Sequence, residues 1–125
     1  MNKDPSLVAV VDDEESVRRA LGRLIRSAGF GVEMFSSGID FMQSLQRNRP
    51  DCVVMDLRMP VINGFELQAA LQRTGVALPI VVITGDDSPD SRERALRSGA
   101  RAYLRKPVDD ALLIEAIQNA VRDTA

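Results

Sequence analysis

The sequence predicts an α/β fold: a doubly wound, five-stranded parallel sheet of order 2-1-3-4-5, with five helices on its two faces. Two observations carry this. First, five short apolar runs read as strands buried on both faces: Leu7-Val8-Ala9-Val10-Val11, Gly31 to Phe35, Cys52 to Met55, Ile80 to Ile83 and Ala102 to Leu104. Second, a segment with helical spacing follows each run, and such alternation favours a parallel sheet joined by right-handed crossovers. No internal repeat, low-complexity tract or linker-like shift interrupts the pattern, so residues 1–125 are expected to form a single domain.

The first strand ends in acids, Asp12-Asp13-Glu14-Glu15. In the helix after it, Val17, Leu21, Leu24, Ile25 and Ala28 share one stripe while Arg18, Arg19, Arg23 and Arg26 face elsewhere, and Gly29 is its expected C-cap. The second helix carries Ile39, Phe41, Met42 and Leu45 before the Asn48-Arg49-Pro50 break. Phe65, Leu67, Ala70 and Leu71 mark the third, after Gly64. The fourth, about Asp90 to Ser98, has little apolar surface beyond Ala95 and Leu96 and is expected to be the least firmly anchored. Leu112, Leu113, Ile117, Ala120 and Val121 form the stripe of the fifth.

Composition narrows the function. The chain has 125 residues, enough for one buried core. Sixteen basic against eighteen acidic residues give a net charge of -2, without the basic excess of a duplex-binding surface, so direct nucleic-acid binding is not expected. Histidine is absent, which removes imidazole as base, metal ligand or phosphoryl carrier within this chain. Cys52 is the single cysteine, within a strand, so no internal disulfide forms. With no apolar signal region at Met1 to Pro5 and no apolar run of membrane-spanning length, a cytoplasmic location without membrane contact is expected.

In a doubly wound sheet the ligand site lies beyond the carboxyl ends of the strands, near the switch point between the first and third. The residues at those ends are Asp12-Asp13, Asp56, Thr84 and Lys106. Taken singly, each has a structural explanation: an acidic helix start, a turn, a loop hydroxyl, a solvated lysine before a turn proline. Their joint placement on four strand ends points to a site. Three carboxylates in one crevice repel, since two unit charges about 4 Å apart cost roughly 4 kcal/mol at an effective dielectric near 20. A cation must offset that, and magnesium suits a site with one or two carboxylates and open positions for water or phosphate oxygens. A carboxylate placed like Asp56 can attack phosphorus to give an aspartyl phosphate, while the Lys106 ammonium and the Thr84 hydroxyl stabilise the charge that spreads over the phosphoryl oxygens.

With these residues identified, the sequence from Leu7 to about Arg122 resembles the receiver domains of two-component response regulators. The segments that carry the resemblance are Val10-Val11-Asp12-Asp13-Glu14, Val54-Met55-Asp56-Leu57-Arg58-Met59-Pro60 with Asn63-Gly64, Ile83-Thr84-Gly85, Gly99-Ala100 and Lys106-Pro107. The resemblance implies phosphorylation of Asp56, and a magnesium ion held by Asp13, Asp56 and the backbone carbonyl of Arg58, with Asp12 acting through water. It implies that Thr84 and Lys106 contact the phosphoryl group, that Thr84 and Tyr103 form the switch, that Arg58 and Asp86 tune the phosphoryl lifetime, and that the Lys106-Pro107 bond is cis. The implied partners are a histidine kinase or phosphotransfer protein, met by the arginines of the first helix, and an output domain or downstream protein. The fourth helix, fifth strand and fifth helix would form the output face, with a phosphorylation-dependent dimer among its uses.

Val61-Ile62 and Val108 depart from the resemblance, where small residues and phenylalanine are commoner. Three other readings are weaker. A phosphatase of the haloacid-dehalogenase kind also forms an aspartyl phosphate, but on the first strand with a second acid two residues on, whereas Asp12 and Asp13 are adjacent and Asp56 ends the third strand. An unphosphorylated interaction domain would be expected to lose part of the acid, threonine and lysine set, all of which is present. A flavin carrier is disfavoured by four acids where its phosphate would sit.

Overall fold

The computed structural model describes residues 5–75, 77–85 and 88–124. In chain order the elements are β1 (Leu7–Val11), α1 (Glu15–Ser27), β2 (Gly31–Phe35), α2 (Gly38–Ser44), β3 (Cys52–Asp56), α3 (Gly64–Thr74), β4 (Ile80–Thr84), α4 (Pro89–Arg97), β5 (Ala102–Arg105) and α5 (Asp110–Thr124). All strands pair in parallel in the order β2-β1-β3-β4-β5, as the alternation predicts. The register aligns Val10 with Val54, Val54 with Val81, and Val81 with Ala102. β3 and β4 are buried along their whole length, which is why they read as continuous apolar runs rather than alternating ones.

The sheet separates two cores. On one face Leu21 and Ile25 of α1 and Leu113, Ile117 and Ala120 of α5 pack on Val8, Val10, Cys52, Val54, Val81 and Ile83. On the other, Phe41 of α2, Leu67 and Leu71 of α3 and Ala95 of α4 pack on Ala9, Val11, Val53, Met55 and Val82. Phe35 meets Phe41 edge to face, with ring centroids 5.5 Å apart.

Several boundaries differ from the sequence reading. β3 runs one residue further and includes Asp56, because a chain entering a buried crevice keeps its ladder partners past the last apolar side chain. Ala28 is the C-cap of α1, and Gly29 follows it with φ 98°, the left-handed conformation that glycine adopts without steric cost. Leu45 is the C-cap of α2 and still packs with Phe41 and Met42 on the core. Ile39 and Leu112 are about half exposed, at 41% and 52%. Leu112 and Leu113 sit about 100° apart around their helix, so only Leu113 aligns with Ile117 and Ala120 on the sheet. α4 is thinly anchored, as expected: Ala95 is its only buried residue.

Candidate functional site

Four connections deliver the site's side chains. β1 ends at Val11, and its next residue, Asp12, is fully buried with every acceptor engaged. Its Oδ1 takes the Glu14 N–H at 2.9 Å, its Oδ2 takes Lys106 Nζ at 3.0 Å, and its backbone carbonyl takes Arg18 Nη1 at 2.7 Å. This bonding differs from a helix cap: the N-cap of α1 is Glu14, without a side-chain capping bond. Asp56, buried at the end of β3, accepts the Arg58 N–H on Oδ1 at 3.2 Å and Lys106 Nζ on Oδ2 at 3.1 Å. Asp13 is exposed, yet Asp12, Asp13 and Asp56 can each offer an oxygen within 4.8 Å of the others.

Lys106 reaches in from the far side of the sheet, beyond β5. Its backbone N–H donates to Thr84 O at 2.8 Å, and the bond from Lys106 to Pro107 is cis. Its ammonium bridges two buried carboxylates and lies 3.6 Å from Glu14 Oε1. Burial alone would lower the lysine's pKa, but the hydrogen bond and charge of Asp12, followed by those of Asp56, overcome that and hold it above the ordinary lysine value. For Asp56 burial dominates. It raises the carboxyl above its usual range although the Arg58 N–H and Lys106 both favour the ionised form.

The α3 side of the site is fixed by close backbone approach. Gly64 N–H donates to Leu57 O at 3.0 Å, and a Cβ on Gly64 would lie 2.8 Å from Leu57 Cα and 2.9 Å from the Asp56 carbonyl oxygen. Just ahead, Asn63 and Glu66 form a reciprocal capping box that starts α3. Between these elements, Met59-Pro60-Val61-Ile62 turns with Val61 at φ 70°, and Val61 is 83% exposed.

Asp13, Glu14, Asp56, Arg58, Gly85 and Lys106 line one open cavity of about 450 Å³. Thr84 is buried and lines the adjoining cavity with Leu57, Met59, Asn63, Phe65 and Ser91. Arg58 contributes to both. Tyr103, the other expected switch residue, is buried on β5 with the Arg92 guanidinium 5.6 Å from its ring centroid. Asp86 lies outside the described residues. Glu14 and Arg18 also belong to the site, where the sequence alone places Glu14 only in the acidic run and Arg18 only among the outward arginines of the first helix. Glu14 stands in the acidic run and Arg18 one turn into α1, but neither spacing reveals a lysine ninety-two residues away or a bond to a backbone carbonyl.

Chemically, the arrangement is a hard-oxygen cluster with one ammonium already seated between two of its carboxylates. It suits a small divalent cation that needs one or two carboxylates and keeps open positions. No helix of the described residues is long and apolar enough to cross a membrane.

The family described as the response regulator receiver domain matches residues 8–118. The response regulator MprA of Mycobacterium sp. (strain KMS) is 37% identical over 121 residues, covering 97% of this chain and 53% of that protein. TodT of Pseudomonas putida (strain F1), also a response regulator protein, is 33% identical over 98% of this chain and 54% of its own length. The chain thus spans about half the length of the curated relatives it matches. Among solved structures, a response regulator receiver protein from Burkholderia phymatum is 44% identical with a TM-score of 0.82, covering 94% of this chain and 95% of that one. The crystal structure of FixJ-N is 35% identical with a TM-score of 0.88, covering 98% and 96%.

Proposed function

Because this chain belongs to the response regulator receiver domain family, whose members serve phosphorylation-based signalling, we propose that Asp56 is its phosphoacceptor. The observation that carries the proposal is the Lys106 ammonium held at 3.0 and 3.1 Å between Asp12 and Asp56, with Asp13 completing an acidic triad at the strand ends. The donor is a phosphohistidine outside this chain, which contains no histidine. An oxygen of ionised Asp56 forms the new O–P bond as the P–N bond of the donor breaks. The departing nitrogen keeps the electron pair and takes a proton from solvent. Water later cleaves the acyl phosphate and restores the carboxylate.

Asp13, Asp56 and the Arg58 carbonyl would hold magnesium, with Asp12 acting through water. When bound, the ion neutralises phosphoryl oxygens as their charge develops. Lys106 binds a phosphoryl oxygen and fixes its direction. The amide of Arg58 orients the Asp56 carboxylate, and Arg18 pins the turn that carries Asp12. Thr84, in the adjoining cavity, moves to hydrogen-bond the phosphoryl group, and Tyr103 follows it. The face made by α4, β5 and α5 then changes shape toward an output domain, a downstream protein or a second copy. Arg58 and Asp86 set how long the phosphoryl group survives.

The test is intact mass after incubation with acetyl phosphate and magnesium, beside Asp56→Asn and magnesium-free controls. A single added phosphoryl group, absent from both controls, is expected. No adduct under any condition would refute the reading, and steady turnover of an added phosphomonoester would replace it with a phosphatase.

A further inference from the structure

α4 buries only Ala95, and beside the contact of Arg92 with the Tyr103 ring of β5 it meets one stripe of α3. Phe65, Gln68 and Gln72 stand three and four residues apart, so they share one face of that helix. The Arg94 guanidinium lies 4.0 Å from the Phe65 ring centroid. Gln68 Nε2 donates to Ala95 O at 3.2 Å, and Gln72 Nε2 donates to Ser98 O at 2.8 Å. The stripe thus grips α4 in its second half and at its C-cap. At its other end, α3 begins with Gly64 bonded to Leu57 O and so close to the Asp56 carbonyl that a Cβ there would lie 2.9 Å from its oxygen. One short helix spans the distance from the phosphoacceptor's backbone to α4.

Gln68 is the informative member. It is 1% exposed, and its Oε1 accepts no hydrogen bond among the described residues. Its donor bond is not needed to satisfy Ala95 O, which already accepts the Ala100 N–H at 3.1 Å. An apolar side chain of similar volume would relieve the unmet acceptor and leave the α4 carbonyl bonded. Stability therefore does not explain an amide at this position. What the amide adds over leucine is a directional bond that fixes where α4 lies along α3.

We propose that Gln68, supported by Phe65 and Gln72, is a positioning residue through which α3 sets the place of α4 and relays the state of Asp56 to it. The relay rests on phosphorylation of Asp56 as read above, whereas the positioning does not. The test compares backbone hydrogen exchange and urea midpoints for the wild-type chain, Gln68→Leu and Gln72→Ala, each with and without acetyl phosphate and magnesium. In Gln68→Leu, amides 95–98 are expected to exchange at least tenfold faster. Sheet amides should be unchanged and the urea midpoint equal or higher, a combination that loss of mere packing would not give. Asp56 should still take its phosphoryl group, with a smaller change in α4 exchange on phosphorylation. Gln72→Ala, changed at an exposed position, should loosen amides 97–99 alone and keeps the test valid if Gln68→Leu does not fold. Unchanged α4 exchange in the variants, or faster exchange spread evenly over sheet and helix, would overturn the proposal. Absence of any adduct on the wild-type chain would overturn the phosphoacceptor reading, and the relay with it, while α4 exchange would still decide the positioning.

Discussion

Gly64→Ala sets two effects of opposite sign against each other. Gly64 opens α3 without a left-handed φ, so by helix propensity alone alanine would stabilise the chain by up to about 1 kcal/mol. The added methyl, however, would stand 2.8 Å from Leu57 Cα and 2.9 Å from Asp56 O, both backbone atoms that no rotamer change can withdraw. Reaching ordinary contact requires the start of α3 and the end of β3 to separate by roughly 0.6 Å. Such overpacking costs about 1–3 kcal/mol, and the stretched bond from Gly64 N–H to Leu57 O removes about 1 kcal/mol more. The clash wins, by about 2 kcal/mol net, which should lower Tm by several degrees in thermal melts followed by circular dichroism. Because the displaced atoms belong to Asp56 and its neighbour, phosphorylation by acetyl phosphate should slow by about tenfold, read by intact mass against time. A Gly64→Ala protein with unchanged or higher Tm and wild-type phosphorylation would show that this contact does not place Asp56.

Lys106→Met leaves Asp12 and Asp56 buried against each other without a cation and should destabilise by about 3 kcal/mol. Magnesium chloride should then raise its Tm by more than that of the wild-type chain, and an equal rise in both would contradict the charge argument. Val61→Gly should stabilise by about 1 kcal/mol, since it relieves a β-branched residue at φ 70° and loses almost no packing, as a urea midpoint will show. Burial pushes the Cys52 thiol from 9.0 up to about 12, with the Asp51 charge adding to the rise. Between those values the folded state holds a proton that the unfolded chain has lost, so stability should fall as pH rises past 9, by about 1.4 kcal/mol per unit. Cys52→Ala should lack that component, and parallel stability curves for the two proteins above pH 9 would disprove it.

The sheet was legible because strands covered on both faces, here β1, β3 and β4, cannot alternate in polarity, and five short strand-like runs between amphipathic stripes leave few topologies. Asp12, Asp13, Asp56 and Lys106 were legible for a related reason: a charged residue immediately past a buried strand has somewhere specific to be. What escaped the sequence depends on backbone or tertiary partners. Arg18 bonds a carbonyl, Gly64 matters through atoms it must not touch, and Gln68 looks like any helical glutamine until its burial is known. Leu112 was misplaced because adjacent leucines cannot both face a sheet, and spacing alone does not choose between them. Thr84 is where expected on its strand, but lines the cavity next to the one that holds the carboxylates.

Among the described residues the two core clusters share no member and lie on opposite faces of one sheet. Substitutions in the two clusters that lie more than about 7–10 Å apart should have stability costs that add. Such a partition insulates one side of the molecule from drift on the other. Either half could be refitted to a new protein without renegotiating its opposite, leaving the crevice at the strand ends as the one place where both histories must agree.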